Sequence, residues 1–199
     1  MNVGSWFHFP EFIAPAFVRR ETCIDLKLGI LSGAVFDDLK VYRYLLWRCW
    51  NPKLPPLVAC MLNPSTATEV DTDPTVEKVT RWARAWGHGG IIVVNAFAWR
   101  STDPKELYEV GQPKGQANDQ AILSAARVAG MVICGWGTHA AHPQFAGRAR
   151  EVEALLLSVV EIVHCTKVNQ GGTPKHPLYE PNAATPIVYR ARTEEGAAE

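Results

Sequence analysis

The chain has 199 residues, 47% of them hydrophobic, with 20 basic side chains balanced by 20 acidic ones. That length suits one domain of about 100–200 residues with a real core. A protein that grips long duplex DNA by its phosphates is usually basic, and this one is not; any nucleic-acid contact is expected to be local, weak, or to a short or single-stranded target. No run of about 18 apolar residues occurs, so no membrane span is expected. The start, MNVGSWFHFPEF, lacks the charged lead and apolar core of a signal peptide, and a cytoplasmic location is the default expectation. Five cysteines at 23, 49, 60, 134 and 165 form no CxxC pair, which argues against a zinc knuckle or a disulfide framework.

In chain order, residues 1–28 are rich in aromatics and proline and read as irregular; an arm that packs on the body is the expectation. AVFDDLKVYRYLLWRCW (34–50) reads as a β-hairpin around an Asp-Asp-Leu-Lys turn. LVACML (57–62) is a short apolar run fit for a strand buried on both faces. It stops abruptly at Asn63-Pro64-Ser65, and an acidic loop with Glu69, Asp71 and Asp73 follows. DPTVEKVTRWARAWG (73–87) opens with Asp73 as N-cap and Pro74 at the first helical position. Its Val76, Val79, Trp82, Ala83 and Trp86 fall on one helical face, and Gly87 closes it. GIIVVNAF (90–97), MVICGWG (131–137) and EIVHCTKV (161–168) read as further strands. QANDQAILSAARVAG (116–130) and FAGRAREVEALLLSVV (145–160) read as helices, and RTEEGAAE as a frayed tail. Strands alternating with helices imply right-handed crossovers and a mostly parallel sheet covered on both faces. The domain is drawn at 29–190, with an arm at 1–28 and a tail at 191–199.

In such a sheet the ligand sits beyond the carboxyl ends of the strands. The residues found there are Asn63, Pro64, Ser65 and Thr66; Asn95, Phe97, Trp99 and Arg100; Trp136, Gly137, Thr138 and His139; and Lys167, Asn169 and His176. Polar groups therefore converge on one edge. No GxGxxG or GxxxxGK[ST] appears, so dinucleotide and P-loop readings have little support. The two histidines of GWGTHAAH lack a matching third ligand, and neither a metal nor a cofactor is expected.

The segments NPSTA (63–67), DPT (73–75), VNAFAWR (94–100), GWG (135–137) and GTPKHPLY (172–179) resemble an uncharacterised bacterial and phage family, domain of unknown function 1643. Four overlapping segments, MLNPS (61–65), IIVVNAF (91–97), VICGWG (132–137) and HPLY (176–179), also resemble motifs of the uracil-DNA glycosylase superfamily in the same order. Met61 stands where that pattern has glycine, Ser65 replaces a second glycine, and Leu178-Tyr179 replace Ser-Pro. The acidic loop has no counterpart there. This resemblance implies a three-layer α/β/α fold with a central, mostly parallel four-stranded sheet, plus the N-terminal β-hairpin.

It also implies a nucleobase- or nucleotide-recognising protein that hydrolyses the N-glycosidic bond of a modified or damaged pyrimidine. His176 would donate to the base O2, Asn95 would read the base edge, and Asn63 or its carbonyl would hold a water. Outside what the resemblance covers, the two carboxylates of the acidic loop, Asp71 and Asp73, would stabilise a sugar cation or bind a metal; Asp71 is taken as the catalytic one. Phe97 or Trp99 would stack on the base, Leu178 and Tyr179 would wedge into the vacated stack, and Pro64, Ser65, Arg100 and Trp136 complete the binding set. Plainer readings stand beside these: Asn63-Pro64 as a turn, Asp73 as a cap, and Arg100 as a partner of the acidic loop. The expected partner is a nucleobase, a nucleoside or a short single strand. A base-modifying transferase of the phage thymine-modification type and a non-catalytic nucleic-acid- or nucleotide-binding module are the other functions weighed.

Overall fold

The computed structural model describes residues 18–25 and 29–193. Most of the arm drawn at 1–28, and most of the tail drawn at 191–199, lie outside the described residues. Within them, eight strands form one sheet. They are β1 (Val18–Asp25), β2 (Ile30–Asp37), β3 (Arg43–Cys49), β4 (Leu57–Met61), β5 (Gly90–Asn95), β6 (Met131–Cys134), β7 (Ile162–Cys165) and β8 (Ile187–Ala191), in the spatial order β1-β2-β3-β5-β4-β6-β7-β8. Three helices accompany it: α1 (Pro74–Ala85), α2 (Asn118–Val128) and α3 (Pro143–Leu157).

The expected α/β/α fold around a central, mostly parallel four-stranded sheet with a separate hairpin is corrected by this topology. The sheet is mixed and mostly antiparallel. β1–β2, β2–β3, β3–β5 and β7–β8 run antiparallel, while β4–β5, β4–β6 and β6–β7 run parallel. The physical reason lies at the edges. A parallel block leaves unpaired N–H and C=O rows on its outer strands, and these invite further pairing. Here β3 covers one side by pairing with β5, and β8 covers the other by pairing with β7. The hairpin is therefore continuous with the sheet.

β4 and β5 are buried at every position, as their unbroken apolar runs require. Side chains alternate across them. Leu57, Ala59, Met61, Ile91 and Val93 face α1, which contributes Val76, Val79, Trp82 and Ala83. Val58, Cys60, Ile92 and Val94 face α2 and α3, which contribute Ala121, Ile122, Ala125, Phe145 and Val152. Asp73 caps α1, its Oδ1 accepting from the Val76 N–H at 2.8 Å. All five cysteines are free; Cys23 is half-buried, and Cys49, Cys60, Cys134 and Cys165 are buried. Cys60 and Cys134 lie side by side on paired strands. Among the described residues, no helix is long and apolar enough to cross a membrane.

A candidate binding cavity at the sheet edge

The parallel strands β4, β5 and β6 all end at one edge of the sheet, and a cavity of about 560 Å³ opens there. Its walls come from the loops after β4, β5 and β6, from the first turn of α1, and from the segment around His176. β3 runs antiparallel to β5, so its first residue, Arg43, reaches the same edge and also lines the cavity.

Asn95 is the last residue of β5. It follows Ile91 and Val93 on the α1 side, where a further apolar residue would continue the core. It is only 1% exposed, it lines the cavity, and neither its Oδ1 nor its Nδ2 has a protein partner. Buried side-chain amides are nearly always hydrogen-bonded, so an orphaned one calls for an explanation. Its backbone, by contrast, is tightly held from the opposite face. Asn118 Nδ2 donates to Asn95 O at 3.0 Å and to Ala96 O at 2.9 Å, and Arg148 Nε donates to Ala96 O at 2.8 Å. Arg148 is in turn paired with Asp119 at 2.6 Å. The strand exit is rigidly placed while its amide is left open. Sequence reasoning did not single out Asn118 or Arg148; each lies inside a helix, a polar residue on a buried face.

Asn63 also lines the cavity, but its amide nitrogen is in use. Nδ2 donates to Ser101 O at 2.8 Å and to Pro64 O at 3.2 Å. With both N–H groups used, only Oδ1 is left to accept from a ligand or a water. Trp136 lines the wall after β6; it is 1% exposed and its indole Nε1 has no partner.

His176 arrives through a close approach. Gly137 has φ of 72°, and its N–H donates to Pro174 O at 2.9 Å. A Cβ at Gly135 would lie 2.7 Å from Pro177 Cδ and 3.1 Å from Met61 Sδ. The Gly-Trp-Gly end of β6 is thus what lets the His-Pro segment lie against the sheet. His176 Nδ1 accepts from the Leu178 N–H at 3.3 Å, which leaves the proton of the neutral ring on Nε2. Burial pulls its pKa below the ordinary 6.5, against the pull of Asp73.

Of the residues expected at the site, Asn63, Ser65, Asn95, Trp136, His176, Leu178 and Tyr179 line this cavity, while Pro64, Asp71, Phe97 and Arg100 do not. Leu178 and Tyr179 are 43% and 71% exposed, as residues at its rim would be. Pro64 is buried, and its carbonyl accepts from the Ser101 N–H. Asp71 is exposed and folds back on its own loop, receiving Thr68 Oγ1 at 3.3 Å, while Arg48 holds its backbone carbonyl at 3.0 Å. Phe97 packs on Phe145 with ring centroids 4.7 Å apart. Arg100 lies over Phe36 and donates to Lys40 O at 3.0 Å.

The acid that does line the cavity is Asp73, and the cations are Arg43 and Lys175. Lys175 pairs with Glu180 at 2.8 Å. His139 also lines it, bonded through Nδ1 to Tyr108 Oη at 2.9 Å; His142 caps α3. Among the described residues, no group of three His, Cys, Asp or Glu side chains gathers as a metal site would need.

The model of the family described as "Protein of unknown function (DUF1643)" matches residues 43–178. The chain belongs to this family. The matched span begins at Arg43 and ends at Leu178, so it holds every residue that walls the cavity except Tyr179. No curated protein and no solved structure matches the chain.

Proposed function

We propose that the cavity recognises a nucleobase, and that the chain hydrolyses the N-glycosidic bond of a modified or damaged pyrimidine. The observation that carries this reading is the unpartnered amide of Asn95. A carboxamide offers one acceptor beside one donor. A pyrimidine offers the complement along its N3/C4 edge, and either orientation of the amide can match it. A cavity of about 560 Å³ is of the size that holds one small ligand. The segments carrying Asn63, Asn95 and His176 resemble those of the uracil-DNA glycosylase superfamily, which supports the same reading.

The chemistry follows from the groups present. As the bond from C1′ to N1 breaks, its electron pair moves to the base and charge grows on O2. A donor fixed beforehand stabilises that charge most effectively. A neutral His176, with its proton on Nε2, has that character. A water accepted by Asn63 Oδ1 adds to C1′. Of the two loop carboxylates Asp71 and Asp73, the one facing the cavity is Asp73, and to it we assign both tasks: it offsets the positive charge of the sugar and accepts the water's proton.

The test is incubation with a panel of normal and modified nucleosides and short single strands, with released base read by mass spectrometry. Release that His176→Ala and Asn95→Ala abolish supports hydrolysis. Binding of a panel member without release leaves recognition standing and removes hydrolysis. Release unchanged in both variants removes the assigned mechanism.

A further inference from the structure

Arg43 is the group in this cavity that recognition of a neutral base leaves unused. It is 2% exposed and lines the cavity. Its Nη1 donates to Ala67 O at 2.7 Å, and its Nε has no partner. Among the described residues, no carboxylate forms an ion pair with it. Buried charges are ordinarily paired, because the interior does not replace the hydration they lose. Burial indeed draws the pKa of Arg43 down to about 9, with Asp73 pushing it back up.

Asp73 only partly answers this charge. Its Oδ1 is engaged by the Val76 N–H and its carbonyl by the Glu77 N–H, both at the start of α1. That turn faces the same cavity through Pro74, Thr75 and Val76. Proline brings no N–H and Asp73 takes those of Val76 and Glu77, so Thr75 supplies the free N–H of the turn. The positive end of a 12-residue helix and a buried guanidinium with an open edge therefore meet at one wall.

We infer that Arg43 and the first turn of α1 form an oxyanion subsite, so that the ligand carries a phosphoryl group as well as a base. The guanidinium fork suits the paired oxygens of a phosphate. With Asp73 on the same wall, a singly charged phosphoryl group fits better than a doubly charged one. The base half of this inference rests on the nucleobase reading; the anion half stands on Arg43. The phosphoryl group belongs either to a free nucleotide or to a strand's phosphodiester.

The experiment is titration calorimetry of the full chain with nucleosides, their 5′-monophosphates, trinucleotides, ribose 5-phosphate and inorganic phosphate, repeated on Arg43→Met. The phosphorylated ligand is expected to bind at least about tenfold more tightly than its nucleoside, because losing one partner of a buried charge pair is expensive. Arg43→Met is expected to abolish that gap and leave nucleoside affinity unchanged. Methionine of similar volume is tolerated at many buried ion sites. Should it fail to fold, Arg43→Lys, which keeps charge but loses the fork, is expected to narrow the gap, and the gap in the unmodified chain decides by itself. A nucleoside that binds as tightly as its phosphorylated forms overturns the inference, as does a gap that survives in Arg43→Met.

The two readings fail separately. If ribose 5-phosphate or inorganic phosphate binds the unmodified chain and not Arg43→Met while no nucleoside binds, the subsite stands and the nucleobase reading falls. Nucleoside binding without a gap has the opposite meaning. Tight monophosphates identify a free nucleotide as the source; binding confined to trinucleotides identifies a strand.

Discussion

Asn95 joins an unsatisfied amide to a rigidly held backbone, and this combination separates binding from stability. Asn95→Leu removes a buried polar group that has no protein partner. It is expected to leave the melting temperature unchanged or raise it, because an unsatisfied group of this kind costs about 1–3 kcal/mol. The same substitution is expected to lower ligand affinity at least about tenfold, as loss of a hydrogen-bonding edge does. Melting curves and calorimetry on one preparation check both halves.

His176 and His88 carry a second expectation at this scale. Burial lowers the pKa of each from 6.5, opposed by Asp73 at His176 and by the Pro55 carbonyl at His88. In the unfolded chain both take up a proton near pH 6.5; in the folded chain they do so only at lower pH. The unfolded state therefore binds more protons in between, and stability is whole above pH 6.5 and falls below it. Melting temperatures measured from pH 7.5 down to 5.5 are expected to decline, and His88→Gln to flatten part of that decline.

Among the elements, the short β6 has the greatest leverage on the site. Gly135→Ala would press a methyl against Pro177 and Met61. A cost of about 1–3 kcal/mol is expected for such overpacking, together with weaker ligand binding as the His176 segment is displaced. Asp73→Ala is expected to lose about 1 kcal/mol of helix capping as well as any catalysis, whereas Asp71→Asn, on an exposed loop, is expected to change neither by much. Denaturant melts and base-release assays separate the two acids.

The elements also show what was legible in advance. β4 to β7 were readable because burial on both faces demands unbroken apolar runs, and the helices from their apolar spacing, with Asp-Pro at the start of α1 and glycines after α1 and α2. β1 (VRRETCID) and β8 (IVYRA) are mostly exposed, so they carry no apolar pattern to read and owe their conformation to pairing. Missing them, and setting the β2–β3 hairpin apart from the sheet, is what made it look four-stranded and parallel. Asn63, Asn95 and His176 could be found because each stands beside a strand end. Arg43 escaped because it begins an antiparallel strand, and a search of parallel strand ends passes it by. Phe97 and Arg100 were drawn in wrongly: past Asn95 the chain turns away, Phe97 N–H donating to Leu62 O and Arg100 N–H to Val41 O.

For the molecule as a whole, neutrality sets the character of any nucleic-acid contact. A single guanidinium facing one phosphoryl group releases few counterions. Oligonucleotide affinity is therefore expected to fall with salt at a logarithmic slope of about −0.7 to −1.4, the value for one or two phosphates on a single strand. A slope steeper than about −3 in a salt titration would require a basic track along the surface, contrary to the neutral net charge. Family membership and the sheet edge agree in extent: the matched span opens on β3 and closes on the His-Pro segment, the pieces that together enclose the cavity. The free cysteines add a property of their own. One sulfur is half-accessible and four are sealed between the sheet and its helices, two of them neighbours across a strand pair. Alkylating reagents should thus capture a single thiol at once and the remaining four only at the pace of unfolding, so the intact chain carries its own chemical timer for how often the core comes apart.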